Sequence, residues 1–137
     1  MRRSTQARRS TRGPSITRLP VLAAVCLLAG CVDKADLPRP VAQGDAARGL
    51  AVVNQVGCAA CHSIPDVAWP RGRSASDLAG FGARPMIAGR LPNQPDVLIR
   101  WLIDAPSLDP QTAMPPMPLS HDQARDVAAY LYSLDDD

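Results

Sequence analysis

The residue types and segments that this sequence lacks already narrow the class of protein to which it can belong. It contains no glutamate, and Lys34 is its only lysine, so a docking surface built from a ring of lysines is excluded. Its longest apolar run, Leu19 to Ala29, is shorter than the roughly 20 residues that a membrane-spanning helix needs. No segment alternates apolar and polar residues as a half-buried strand does, which favours an all-α domain. Of the four cysteines, Cys26 lies inside the apolar run and Cys31 directly after it, so only Cys58 and Cys61 are left and no second pair exists for a disulfide framework.

The N-terminal segment is typical of an export signal. The first eighteen residues carry six arginines and no acidic residue, and the apolar run follows directly. The residues at the end of this run, Leu28-Ala29-Gly30-Cys31, resemble the lipobox of bacterial lipoproteins. In that motif the cysteine is acylated and becomes the first residue of the mature protein. Residues 1–30 are therefore predicted to be a lipoprotein signal peptide, and Cys31 the lipidation site. A nucleic-acid-binding arm is the alternative for the arginines, but their place ahead of an apolar run disfavours it.

The remaining 107 residues form one domain behind a tether. They contain nine basic and thirteen acidic residues, a formal charge of −4. Residues 31–43 hold Pro38 and Pro40 and show no helical period, so they are predicted to be a lipidated tether. Residues 44–137 are the predicted domain, and 107 residues suffice for a single core.

Three helices are predicted in that domain, joined by long loops. The first follows Gly44 and Asp45, and apolar residues recur through it at three-residue steps. The second opens at Pro95 and stops before Pro106, because proline lacks the amide donor. Ser120 and Gln123 match a capping box that opens the third. The predicted ranges are 46–56, 95–105 and about 121–134.

The strongest chemical signal is Cys58-Ala59-Ala60-Cys61-His62. Two thiols three positions apart lie on one side of a helical turn, where both can add to the vinyl groups of one haem. His62 then meets the iron from that side, and the five-residue pattern is a c-type haem attachment signal. A redox dithiol would accompany a βαβ pattern, which is missing. A zinc site needs four ligands, and after Cys31 only His121 could add to these three residues.

The second iron ligand decides between an electron carrier and a protein that binds small molecules. Methionine is the usual partner of histidine in electron-transfer cytochromes, and the candidates are Met86, Met114 and Met117. The last two lie in a loop stiffened by proline, whereas a methionine elsewhere is most often core filling. A bis-histidine site through His121 is the alternative, although that residue falls in the first turn of a capped helix.

The motifs together resemble a class I cytochrome c across nearly all of residues 44–134. They are Gly44-Asp45-Ala46-Ala47-Arg48-Gly49, Cys58 to His62, Thr112-Ala113-Met114-Pro115 and Asp126-Val127-Ala128-Ala129-Tyr130-Leu131. The resemblance implies a small all-α fold of three to four helices around one covalently bound haem c, with Met114 as the axial ligand and Met117 as second choice. It also implies that the first and last helices cross, with Tyr130 over Gly49.

Two details of the resemblance remain open. Many members carry a Gly-Pro pair whose proline carbonyl accepts a hydrogen bond from the ligand histidine. Here Ala75-Ser76-Asp77-Leu78 stands in its place, and the Ser76 carbonyl can still accept. The donors for the haem propionates are not assigned; the candidates are Arg71, Arg73, Arg84, Arg90 and Trp101.

The function predicted from these features is single-electron transfer. We expect an exported carrier, lipid-anchored and facing the periplasm, that exchanges electrons with a redox protein such as a terminal oxidase, another cytochrome complex or a dehydrogenase. No catalytic residue, nucleic-acid site or small-molecule substrate is predicted. The alternatives are a cytochrome subunit of a periplasmic dehydrogenase and, behind it, a haem-based sensor or peroxidatic protein with a labile sixth position.

Overall fold

The computed structural model describes residues 40–134. The predicted signal peptide, Cys31 and most of the predicted tether therefore lie outside the described residues. Within them, the helices are α1 (Ala46–Val56), α2 (Pro95–Leu108) and α3 (His121–Tyr132), with 3-10 turns at Cys58–Ala60 and Phe81–Ala83. Two short strands, β1 (Met86–Ile87) and β2 (Leu91–Pro92), complete the fold. No helix in this part of the chain is long and apolar enough to cross a membrane.

Helix α1 has the predicted bounds because both of its ends are set locally. The Asp45 side chain accepts a hydrogen bond of 2.8 Å from the Arg48 amide, which caps the N-terminus. At the other end Gly57 adopts a left-handed conformation with φ 81°, which a glycine adopts at little steric cost. Val52 and Val53 are buried on the inner face of the helix.

Helix α3 crosses α1 at Gly49. A Cβ atom on Gly49 would lie 2.8 Å from Tyr130 Cβ and closer still to the Asp126 backbone, so only glycine permits this approach. The predicted capping box is present, with Ser120 and Gln123 each bonding the other's backbone amide. The helix ends at Tyr132, two residues earlier than predicted.

A charged contact joins the same two helices. Arg48 donates two hydrogen bonds of 2.8 Å to the Asp126 carboxylate. The Asp45 amide donates a third, of 2.9 Å, to the same group. Asp126 is 8% exposed, and these three donors compensate the burial of its charge.

The regular turns of the second helix stop before Pro106, as predicted. Asp104 has the non-helical angles φ −148° and ψ 76°, and this kink separates the turns before it from further helical turns that reach Leu108. Because the kink displaces the preceding turn, the ring of Pro106 meets no regular helix there. The buried face of α2 includes Leu98, Trp101 and Leu102.

The strands β1 and β2 were not predicted. They pair antiparallel, with Met86 opposite Pro92 and Ile87 opposite Leu91. The turn between them holds Ala88 at φ 50° and Gly89 at φ 70°. Two residues per strand are too few to show an alternating pattern, and the fold remains predominantly helical.

Candidate haem-attachment site

The five-residue motif begins where α1 ends. Gly57 turns the chain into the 3-10 turn Cys58–Ala60, and the amides of Cys61 and His62 both donate to the Cys58 carbonyl, at 3.2 and 3.0 Å. Ala59 is buried and fixes the turn against the core. Cys58 is half-buried, Cys61 is exposed, and both are free thiols. Two thiols are therefore available on one short turn.

Burial distinguishes the two thiols. Loss of hydration raises the pKa of Cys58 from its ordinary value, because it disfavours the thiolate. The nearby Cys61 adds a smaller effect in the same direction. Cys58 consequently stays protonated at neutral pH, as a structural cysteine does.

The ring of His62 is oriented by a backbone carbonyl. Its Nδ1 atom lies 2.7 Å from the Ser76 oxygen, which confirms the predicted acceptor. A carbonyl oxygen only accepts, so Nδ1 carries the hydrogen and Nε2 keeps its lone pair. A metal-ligating histidine has this arrangement, in which the second nitrogen binds the metal.

The Ser76 carbonyl is held in place by the segment around it. The Gly72 amide bonds the Ala59 carbonyl at 2.8 Å, and the Ala75 amide bonds the Cys61 carbonyl at 3.1 Å. The Leu78 amide bonds the Ser63 carbonyl at 2.9 Å. Residues 72–78 thus wrap against the motif turn, which compensates for the missing Gly-Pro pair.

Gly72 is a site residue that the sequence did not reveal. A Cβ atom there would lie 2.6 Å from the carbonyl carbon of Ala60, and closer still to Cys61. The residue must therefore be glycine for the segment to approach the motif turn. In the sequence, Gly72 stands in a loop rich in arginine and serine. Because glycine is common in loops of every kind, this position alone did not identify it as a site residue.

The candidate methionines differ in their surroundings. Met114 is half-buried and packs against the hydrophobic core, and its amide bonds the Thr112 hydroxyl at 3.2 Å. Met117 is half-buried, with its amide bonded to the Ile103 carbonyl at 3.0 Å. Met86 is 39% exposed on β1. His121 is exposed in the first turn of α3, where its Nδ1 lies 3.2 Å from Arg125. Met114 remains the predicted ligand.

The candidate propionate donors are scattered over different environments. Trp101 is buried on α2, and Arg84 donates to the carbonyls of Asp77 and Ala79. Arg90 contacts Asp109 and Gln111. Arg71 and Arg73 lie in the loop after the motif, Arg73 exposed.

A buried polar cluster supports the loop beside the site. Asn93 is 1% exposed and donates to the carbonyls of Phe81 and Arg84, at 3.2 and 2.9 Å. Its oxygen accepts from the Tyr132 hydroxyl at 2.9 Å. The cluster ties the loop after residue 80 to α3. Sequence patterns missed it, because an asparagine followed by a helix usually indicates only an exposed cap.

The donor set fits a covalently held haem. Two free thiols and an oriented imidazole lie on one turn, and a thioether packs at the core from a separate loop. Among residues 40–134, no three or more His, Cys, Asp or Glu side chains are grouped so that they could hold a metal ion. A family model described as Cytochrome c matches residues 46–135. No curated protein sequence gave a match.

Proposed function

The chain belongs to the cytochrome c family, and on this premise we propose that it is a periplasmic, membrane-anchored carrier with a single haem. The family's covalent haem c makes it a haem-based electron carrier with a redox protein as partner. We propose a respiratory partner, such as a terminal oxidase. The supporting observation is the motif turn, whose histidine is already oriented to bind iron.

The proposed roles follow from the donor chemistry. Cys58 and Cys61 would hold the haem through thioethers, and His62, through Nε2, and Met114 would be the ligands of its iron. The haem supplies a reversible one-electron change between ferrous and ferric iron. The Ser76 carbonyl accepts the Nδ1 proton of His62 and so keeps the ring oriented. With Met114 as the second ligand, the haem would serve electron transfer rather than the binding of a substrate.

Covalent attachment is tested on the exported protein. We expect a haem-stained band on a denaturing gel and a pyridine haemochrome spectrum for two thioethers. Cys61→Ser should leave one thioether and shift that spectrum. Cys26→Ser, which changes the cysteine of the predicted signal peptide, is the matched control and should leave both readouts unchanged. If the wild-type protein carries no covalent haem, the proposed function is wrong.

Membrane anchoring is proposed from the lipobox alone. Cys31 is the only cysteine between the apolar run and the domain. If it is acylated, the mature protein incorporates labelled palmitate and fractionates with membranes, since two or more acyl chains give durable attachment. Cys31→Ser should abolish the label and the membrane fraction while the haem stain of any exported protein persists. Unchanged fractionation would contradict lipidation.

A further inference from the structure

One loop beside the motif turn exposes a large apolar side chain. Trp69 is 85% exposed, while the only other large apolar side chain exposed among residues 40–134 is Met86, at 39%. We call residues 68–73 the Trp69 loop. It is bounded by Val67, which is 3% exposed, and its Gly72 is packed on the motif turn.

The Trp69 loop is held at both ends, so its exposure is a property of the fold. On one side the Val67 amide bonds the Ile64 carbonyl at 3.1 Å, and Asp66 accepts a bond of 3.1 Å from the Tyr130 hydroxyl. On the other, the Gly72 amide bonds the Ala59 carbonyl. A restrained exposed tryptophan loses little conformational freedom on binding, which favours its use in an interface.

The charge of the Trp69 loop is opposite to that of the whole mature chain. The loop carries Arg71 and Arg73 and no acidic residue, whereas residues 31–137 have a formal charge of −4. Both arginines are exposed, and neither has a hydrogen bond or an ion pair within residues 40–134. The flanking Asp66 and Asp77 accept hydrogen bonds from the Tyr130 hydroxyl and the Ala79 amide, and each still carries a formal negative charge. The positive charge is therefore confined to residues 68–73, at Arg71 and Arg73.

From these observations we propose that the Trp69 loop is the docking surface for an acidic face of the redox partner protein. Tryptophan and arginine are the residue types that dominate binding energy in protein interfaces, and unpaired arginines steer an oppositely charged partner. The loop also lies next to the redox centre: Trp69 is three residues from Gly72, hence within roughly 11 Å of it, and Gly72 packs on Cys61. This inference rests on the proposed function and adds the chemistry of the partner.

The test compares two oxidants of the haem-loaded full chain. The protein probe is plastocyanin, a blue-copper protein with an acidic patch, and the small probe is ferrocenium carboxylate, which has no net charge. Stopped-flow measurements give second-order rate constants at 10 and 200 mM ionic strength. Electron transfer from wild-type protein to the small probe confirms the carrier function separately, so a failure of docking is distinguishable from a failure of the proposed function.

The variants are Arg71→Gln, Arg73→Gln, their combination and Trp69→Ala. At 10 mM ionic strength we expect each arginine change to lower the plastocyanin rate about threefold and the combination about tenfold, and to flatten its salt dependence. Trp69→Ala should weaken the complex and so lower the plastocyanin rate about tenfold at both salt concentrations. Arg100→Gln, which changes an exposed arginine on α2, is the matched control and should leave the rate unchanged.

Three results would overturn the proposal. The first is a plastocyanin rate that the loop variants and the control affect equally. The second is a parallel change in the reduction potential and in the rate with the small probe, which would assign the arginines to the haem propionates. The third is an unchanged plastocyanin rate with lost binding to vesicles of anionic phospholipid, which would assign the loop to the membrane surface.

Discussion

The Nδ1 atom of His62 lies 2.7 Å from the carbonyl oxygen of Ser76, fourteen residues along the chain. The acceptor is a backbone atom, so its position depends on the path of residues 72–78 and not on the serine side chain. Since this bond sets the ring orientation and the basicity of the ligand, it should influence the reduction potential of the haem.

We expect Ser76→Ala to leave the reduction potential and the visible spectrum unchanged, because the carbonyl is retained. Ala75→Pro should shift the potential, since it removes the amide that bonds the Cys61 carbonyl and positions Ser76. Redox titration followed at the haem bands measures both, with Ala75→Ser as the control that keeps the amide. A shift in Ser76→Ala equal to that in Ala75→Pro would show that the side chain matters after all.

Met114→Ala should open the second face of the iron. We expect loss of the methionine–iron absorption band in the ferric protein, a lower reduction potential and binding of added imidazole. Met117→Ala is the matched control, because it removes the same side chain from the same proline-rich loop and should keep the band. Optical spectra and a redox titration distinguish them. If Met117→Ala loses the absorption band and Met114→Ala keeps it, Met117 is the ligand. If both variants keep the band, His121 is favoured.

Gly49→Ala should destabilise the domain strongly. The new methyl group would meet Tyr130 and the Asp126 backbone, and overpacking of this kind costs about 1–3 kcal/mol. Chemical denaturation of the haem-loaded protein measures the free energy of unfolding. Ala51→Ser changes an exposed position of the same helix and should stay within about 0.5 kcal/mol of wild type. Equal stability of the two variants would contradict the close crossing.

Asp126 should make stability depend on acid pH. Hydrogen bonds from Arg48 hold the pKa of this carboxyl below its ordinary value of 3.8. A carboxyl with a lowered folded-state pKa stabilises the protein above its unfolded pKa, and the stabilisation is lost as the pH falls through the folded value. The melting temperature of the wild type should therefore decline below pH 3.8 in part through this group.

Asp126→Asn should remove that contribution. At pH 7 we expect a melting temperature lower by roughly 5 °C, and a smaller difference from wild type at about pH 3. Asp122→Asn is the control, because that carboxylate is exposed and its ion pair within residues 40–134 is with Arg125 of the same helix. Calorimetry over this pH range follows both variants. A constant difference at every pH would mean that Asp126 acts through packing alone.

Local signals in the sequence were sufficient to predict the three helices and to identify the haem motif. The ends of α1 depend on Asp45 and Gly57, both adjacent to it, and the capping box of α3 spans four residues. The five-residue motif specifies its chemistry by spacing alone. The break before Pro106 was also predicted, because proline cannot continue a regular helix, whereas the helical turns beyond it, up to Leu108, were not predicted.

What the sequence by itself determined is thus the set of local elements: three helices, two thiols and a histidine in one motif, and the proline-stiffened methionine loop. The tertiary structure decided why position 72 must be glycine and how Asn93 ties a loop to α3. It also decided that Trp69 faces outward beside two arginines that lack partners within the described residues. Each of these features depends on segments that are separated along the chain and meet only in the folded protein, so no local pattern records them.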